Sequence, residues 1–294
     1  MKIREFAEEI RNRITGKIED VVEIAIKPVM KNNGKKLTAF VFKERVQKAT
    51  PTIYLEDFYQ EYAKAKKELD EIAGQIIGIY EKYRVREDVD MSFVQDWEKV
   101  KDKVVYRLIN KEQNKKLLKQ IPYEEILDLA KVFYLAFDND SFMMIHHGIC
   151  KAWGITKEEL IKAAEENTPR LFPVQIMEPE DVIRKIFNIE ETETVFSSVR
   201  LYFVSNHRCL YGAGAIFHPE VLTELAEKLN SDLYLFPSSI HEMGVTIADE
   251  ELGAKRLIEI VRDVNKCMVD TEEYLGENIY LYKKDIGEIN MVIV

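Results

Sequence analysis

Apolar residues recur at Ile3, Phe6, Ala7, Ile10 and Ile14, spacings that lay one stripe along a short helix ending at Gly16. Two apolar runs, residues 21–26 and 37–42, flank Asn33-Gly34, the dipeptide that closes tight turns between antiparallel strands, so a β-hairpin follows the helix. After residues 51–55 comes a long stripe of Phe58, Tyr62, Ala65, Leu69, Ile72, Ile76, Ile79 and Tyr83. It predicts one helix of roughly 40 Å at ~1.5 Å per residue. Alternating steps of 4 and 3 would also suit a coiled-coil or dimer seam. Gly74 and Gly78 favour intramolecular packing instead, since glycine is poor in an exposed helix but lets a helix lie close on a sheet. The charged stretch 84–90 predicts a surface connection, dividing the chain into a helix, hairpin and long-helix lobe at 1–90 and a larger α+β lobe at 91–294.

Beyond residue 91 the periods mix. Residues 104–109 and 126–137 predict strands, the second a central one because its middle, 132–137, is apolar on both faces. Thr156-Lys157-Glu158-Glu159 is a capping box opening a helix that Pro169 should stop. Next are expected a helix at 178–187, a polar loop at 190–194, strands at 199–204 and 212–217, and a helix at 219–229 with its Pro in the first turn. Strands at 232–236 and 244–247 should precede an amphipathic helix at 250–264, with Leu252, Leu257, Ile258, Val261 and Val264 facing inward. A terminal hairpin of 279–282 and 289–294 completes the pattern. Helices and strands mix without βαβ alternation, so the predicted class is α+β, with mixed, mostly antiparallel sheets and packed helices.

Composition narrows the setting. The 294 residues suit one or two domains with ample core. The longest apolar run, 132–137, is six residues, far short of the ~18 needed to cross a bilayer, so no membrane span is expected. The charged amphipathic start lacks an apolar h-region, which points to the cytoplasm. Cys150, Cys209 and Cys267 are odd in number and far apart, fitting reduced thiols and offering no CxxC pair. Net charge is −10, divided as +5 over residues 1–120 and −15 over 121–294. The basic segment 99–119, with Lys99, Lys103 and Arg107, could meet nucleic-acid phosphates. Local pairing on a solvated surface is the preferred account in an acidic protein.

Candidate chemistry gathers in four places. Pro237-Ser238-Ser239-Ile240-His241-Glu242 brings hydroxyls, an imidazole and a carboxylate together after an apolar strand. Ser239 and His241 would share one face of an extended segment with Cβ atoms ~7 Å apart, whereas a base must lie within hydrogen-bond reach of its nucleophile. A turn in which the hydroxyls satisfy the backbone is the simpler reading. His241-Glu242 begins a zinc-protease motif, but Val245 stands where its second His belongs. His146 and Cys150 could share a helical face, yet two ligands are not a metal site. Around Cys209, with His207 two residues away, a nucleophilic thiol needs a stabilising microenvironment. Gly212-Ala213-Gly214 starts like a dinucleotide loop without completing the fingerprint. No metal or cofactor is expected.

Several phrases taken together are familiar: Pro51-Thr52-Ile53-Tyr54-Leu55, Val104-Val105-Tyr106-Arg107-Leu108-Ile109-Asn110, Asn167-Thr168-Pro169-Arg170-Leu171-Phe172-Pro173, Ser205-Asn206 with Tyr211-Gly212-Ala213, and Pro237-Ser238-Ser239-Ile240-His241-Glu242. Over nearly its whole length the chain resembles an uncharacterised bacterial family, domain of unknown function family 5688. More distantly, residues 104–173 resemble the YtpQ-type family of bacilli. The resemblance implies a bacterial cytosolic protein and assigns no catalytic residues. The leading expectation is a non-enzymatic interaction or regulatory module whose partner is another protein. A hydrolase or transferase using His241 with Ser239 or Cys209 is the alternative, and nucleic-acid binding through 99–119 a second. Asn167, Arg170 and Asn206 become binding candidates if they converge with Ser239 and His241 in one cleft.

Overall fold

The hydrophobic stripes described above become buried faces in the computed structural model, which describes residues 1–45, 51–84, 91–137, 141–187, 200–249 and 253–293. The chain divides into two compact units, Met1–Ser92 and Phe93–Val294.

The first unit opens with helix α1 (Ile3–Ile14), which buries Phe6, Ala7, Ile10 and Ile14 on the predicted stripe. Strands β1 (Val21–Met30) and β2 (Lys36–Glu44) pair antiparallel, and β3 (Thr52–Tyr54) joins the free edge of β2. The turn between β1 and β2 places both Asn33 and Gly34 in the left-handed region, at φ 56° and 71°, which is the backbone an Asn-Gly hairpin requires. The long helix predicted over residues 58–83 is instead two: α2 (Glu56–Ala63) and α3 (Leu69–Tyr83). Ala65 takes a left-handed φ of 51° between them, and the amides of Ala65 and Lys66 bond back to the carbonyls of Tyr62 and Glu61. The apolar period runs on across this break because both helices cover one core, that of Phe6, Ile10, Phe40, Phe42, Leu55, Ile72, Ile76 and Tyr80. Gly74 and Gly78 lie on the exposed side of α3, where a Cβ would meet nothing within 4 Å, so they make no close approach to the sheet.

The second unit holds two sheets. After the short helix α4 (Trp97–Val100), strand β4 (Val104–Asn110) buries all seven of its residues. A short helix, α5 (Lys115–Leu118), leads to the hairpin of β5 (Tyr123–Ile126) and β6 (Leu129–Ala136), so the single strand expected over 126–137 begins only at Leu129, after a turn with Leu127 at φ 56°. Strand β6 is central, as its two-sided apolar run predicts: β4 pairs along one edge, β5 and β7 (Phe142–Met144) along the other. Helix α6 (His147–Trp153) precedes α7 (Lys157–Leu171), whose capping box forms between Thr156 and Glu159 as read from sequence. Pro169 does not end α7, which continues to Leu171; the Thr168 hydroxyl donates to the Ala164 carbonyl and the Phe172 amide to the Thr168 carbonyl.

Strand β8 (Val174–Met177), helix α8 (Pro179–Phe187), strand β9 (Leu201–Asn206), helix α9 (Val221–Leu229), strands β10 (Leu233–Pro237) and β11 (Met243–Ile247), helix α10 (Ala254–Met268) and strands β12 (Tyr280–Lys283) and β13 (Glu288–Met291) complete the chain. The strands form one antiparallel sheet in the order β13-β12-β10-β11-β9-β8. Three antiparallel sheets with helices packed on them make the class α+β. The strand expected at 212–217 is a 3₁₀ turn, Gly212–Phe217, because its small residues press against β4 and β9: a Cβ at Gly212 would collide with Ser205 and the Asn206 amide, and one at Gly214 with the Tyr106 ring. On α10 Val264 is exposed rather than inward, and Asn265 is buried in its place. Expected features at 85–90, 190–194, 199, 250–252 and 294 lie outside the described residues. No helix among the described residues is long and apolar enough to cross a membrane.

Candidate functional site

Register places Arg107 in the middle of β4, opposite Val132 of β6, on the face that also carries Tyr134. A long charged side chain in that position must either reach water or be walled in. Arg107 is walled in and only 9% exposed. Its guanidinium carbon lies 3.6 Å from the ring centre of Tyr211, 3.8 Å from that of Phe142 and 4.4 Å from that of Tyr134. The three rings are half-buried, so the cage sits just beneath the surface. Ring quadrupoles attract a desolvated cation by about 2 kcal/mol in a favourable contact. The Tyr211 side chain also hydrogen-bonds the guanidinium, while the buried Nη2 of Arg107 has no hydrogen-bond partner among the described residues. Burial lowers the basicity of the guanidinium, opposed by the neighbouring Tyr134 and Tyr211, yet an arginine keeps its charge.

The aromatic surface continues outward. Phe142 contacts Phe172 and Tyr211 at ring separations of 6.0 and 6.2 Å, and Phe172 stacks on His207 with Arg208 lying over its face. Phe142 is on β7, Phe172 caps α7, and residues 207–211 form the loop after β9.

That loop is held by residues the sequence marked for chemistry. Asn206, buried at the end of β9, accepts from the amides of Arg208 and Leu210 and donates to the Leu210 carbonyl. The chain then turns through two left-handed residues, Cys209 at φ 49° and Tyr211 at φ 55°, a conformation that costs a non-glycine residue on the order of 1 to 2 kcal/mol. Tyr211 keeps it because its amide donates to Nδ1 of His241 and its ring packs on the imidazole at 5.3 Å. The Ser205 hydroxyl and the Gly212 amide both donate to the His241 carbonyl. Ser239 Oγ accepts from the His241 amide within the turn joining β10 and β11. Nε2 of His241 faces Glu273 at 3.5 Å. His241 thus accepts a backbone N–H at Nδ1 and turns Nε2 toward a carboxylate. The Cys209 thiol is exposed beside Gln175 at 3.9 Å, and Glu242 is half-buried with its carbonyl receiving the Ser238 and Ser239 amides.

The remaining candidates serve elsewhere. Asn167 donates to the Lys101 carbonyl, and Arg170 to the Asp102 carbonyl and to Asn167, so the pair ties α7 to the turn before β4. In the basic segment Lys99 faces Asp96, Lys101 faces Glu98, Lys111 faces Glu125 and Lys115 pairs with Glu112, while Lys103 lies over the Phe93 ring at 6.0 Å. Ordinary exposed pairs such as these are worth little in stability but leave a mixed-sign surface. No group of three or more His, Cys, Asp or Glu residues among those described is placed to hold a metal ion.

The structure thus brings Tyr134, Phe142 and Tyr211 around Arg107, with Phe172 beyond Phe142 and Glu273 beside His241, a grouping that sequence reading does not assemble. The available signal was Arg107 itself, a charge in the middle of a strand with apolar neighbours on both sides. A family model described as a family of unknown function, DUF5688, matches residues 3–284, and the chain belongs to that family. No curated protein and no solved structure matches it.

Proposed function

We propose that this is a non-enzymatic interaction module of the bacterial cytoplasm, whose larger unit engages a negatively charged group on a partner protein at Arg107. The observation that carries the reading is the buried guanidinium with three rings around it and an unpartnered Nη2. Taking a charge out of water costs several kcal/mol unless a counter-charge and hydrogen bonds compensate. Aromatic faces offset part of that cost, and an anion meeting the N–H edge would offset more. The placement of His241 and Asn206 supports the non-enzymatic side of the reading, since each bonds the loop that carries Tyr211, and Ser239 in turn bonds the His241 amide. The pairing of Lys99, Lys101, Lys111 and Lys115 with local carboxylates supports a protein partner over a nucleic acid.

The test compares the full chain with Arg107→Met, a substitution of similar length that removes the charge. Thermal unfolding is followed while sodium benzoate and phenyl phosphate are titrated separately. Saturable stabilisation of the wild type by at least one anion, absent in Arg107→Met, is the expected result. The variant's own midpoint in buffer should be equal to or above the wild type's, because replacing an uncompensated buried charge by an apolar side chain is neutral or stabilising. A midpoint well below the wild type's, with no anion effect in either protein, would make Arg107 a structural residue and end the proposal.

A further inference from the structure

We infer that β1 is a self-pairing edge: two copies of this chain join their β1 strands antiparallel about a two-fold axis at Ala25, with Glu23 of each copy opposite the partner's Lys27.

At ten residues β1 is the longest described strand, and it stands at the outside of the order β1-β2-β3. A long edge offers its backbone to a further strand. Register fixes which groups it offers. On β2, Thr38 gives its carbonyl to the Leu55 amide and its own amide to Glu56, both on the β3 side, so Pro28 opposite it makes no bond to β2. In the other phase the Lys31 amide bonds the Lys35 carbonyl, and Ala25, Lys27 and Val29 continue that series against β2. Ile24 and Ile26, in phase with Pro28, therefore turn their amides and carbonyls to the outer edge, where neither has a backbone partner among the described residues.

Lys27 and Pro28 are residue types that blunt an edge against most strands. A second copy accommodates both. With the axis at Ala25, Ile24 and Ile26 exchange N–H···O bonds with the partner's Ile26 and Ile24. Lys27 then lies across from the partner's Glu23 on the outer face, where both residues are exposed, and the symmetry repeats the pair on the other side of the axis. Pro28, with no amide to give, comes opposite the partner's Val22, beyond the reciprocal bonds. Val22 is 56% exposed, and this contact covers it. A slip by two residues in either direction sets Lys27 against the partner's Val21 or Ala25 and leaves Glu23 facing Ala25 or Val29. Parallel pairing in register sets like charges side by side. Charge thus selects one register and one occupant, a copy of the same strand.

Sedimentation equilibrium of the full chain from ~10 to ~500 μM, a span that reveals weak dimers, tests this. The wild type's mean mass should climb toward that of two chains. Lys27→Glu and Glu23→Lys each set like charges opposite one another on both sides of the axis and should weaken association about 10-fold or more. Combining the two restores opposite charges in the exchanged sense, so the double variant should recover to within about 3-fold of the wild type. The exposed contact of Glu23 with Lys43, at 3.7 Å, is lost in Glu23→Lys and in the double variant alike, so it cannot produce the recovery. On the unaltered protein, amide exchange at Ile24 and Ile26 should slow as concentration rises, and exchange that is the same at both ends of the range would count against the pairing. A chain that stays single throughout overturns the proposal and leaves the edge to a strand of another protein. A dimer indifferent to both single variants, or one that the double variant does not recover, overturns the pairing of Glu23 with Lys27 and with it the axis at Ala25.

Discussion

The two units bury different kinds of surface. In Met1–Ser92 the core is a continuous apolar cluster joining α1, the hairpin and α3, with polar contacts such as the Tyr80 hydroxyl donating to Glu44 and the Thr38 amide donating to Glu56 at its margin. In Phe93–Val294 the interior is repeatedly polar. Arg107, Asn110, Asn114, Lys131, Asn167, Thr168, Ser205, Asn206, His218, Thr246 and Asn265 are all buried there, and no residue of that kind is buried among the described residues of the first unit. Most of these groups have evident partners: Lys131 lies between Glu124 and Glu165, and Asn265 donates to the carbonyls of Pro237 and Gly276. Satisfied networks of this type fix one arrangement of elements. Arg107 departs from the pattern because Nη2 is buried and unpartnered, as is Nε2 of His218, which burial and the charge of Lys131 hold below the ordinary histidine range. The contrast separates buried groups that hold the fold from a buried group that is costly to the fold. The second kind is where a binding role is to be sought.

The largest expected effect falls in the apolar unit. Phe40 is fully buried, edge-on to Phe42 and contacting the α1–α3 core, so Phe40→Ala should cost about 3 to 5 kcal/mol of stability. Denaturant unfolding followed by far-ultraviolet circular dichroism measures it. Set beside Arg107→Met, whose expected cost is nil, this substitution puts the comparison at risk directly: similar losses for the two would mean that the buried charge is as structural as the buried ring. A smaller effect is expected at Asn206→Ala. Removing the side chain releases three hydrogen bonds that shape residues 207–211, at a cost of about 1 to 3 kcal/mol, and frees Tyr211 from its left-handed conformation. Amide exchange should accelerate at Leu210 and Tyr211, and anion binding should weaken with it. Slow exchange at Tyr211 in this variant would show that His241 alone positions the ring.

Legibility in the sequence follows the same division. The first unit folds by local rules: α1 reads from its stripe and the hairpin from Asn33-Gly34, and both stand as predicted. What failed there was the break between α2 and α3, since Lys64, Ala65 and Lys66 carry no breaker and the apolar period is in phase across them. In the second unit the strands are largely readable, and β6 announces its central place by being apolar on both faces. The site is not readable in that way. Arg107, Phe142, Phe172 and Tyr211 come from β4, β7, the end of α7 and the loop after β9, and nothing in their spacing signals that they meet. Asn206, Ser239 and His241 stand out in the sequence as polar residues near one another, which is equally the signature of a nucleophile and of a turn. The hydrogen bonds that tie them to the backbone are visible only in the structure. The 212–217 segment misleads for a related reason: its alternating glycines look like strand or cofactor loop, while their function is to let a 3₁₀ turn press against Tyr106 and Ser205.

Glycine gives the finest test of the comparison, because the same residue type is used in opposite ways in the two units. At Gly212 and Gly214 a methyl group would collide with Ser205, Asn206 or Tyr106, so alanine there must displace the support of Tyr211. At Gly74 and Gly78 in α3 a methyl group meets nothing within 4 Å, and the backbone is helical. In that setting glycine contributes only chain entropy to the unfolded state and exposed backbone to the folded one. Gly74→Ala and Gly78→Ala should therefore each raise stability by about 0.5 to 1 kcal/mol, seen as a higher denaturant midpoint with an unchanged slope. A fall in stability for either would mean that α3 packs closely along that face after all, as the spacing of the two glycines first suggests. The apolar unit would then hide an interface that its core does not reveal.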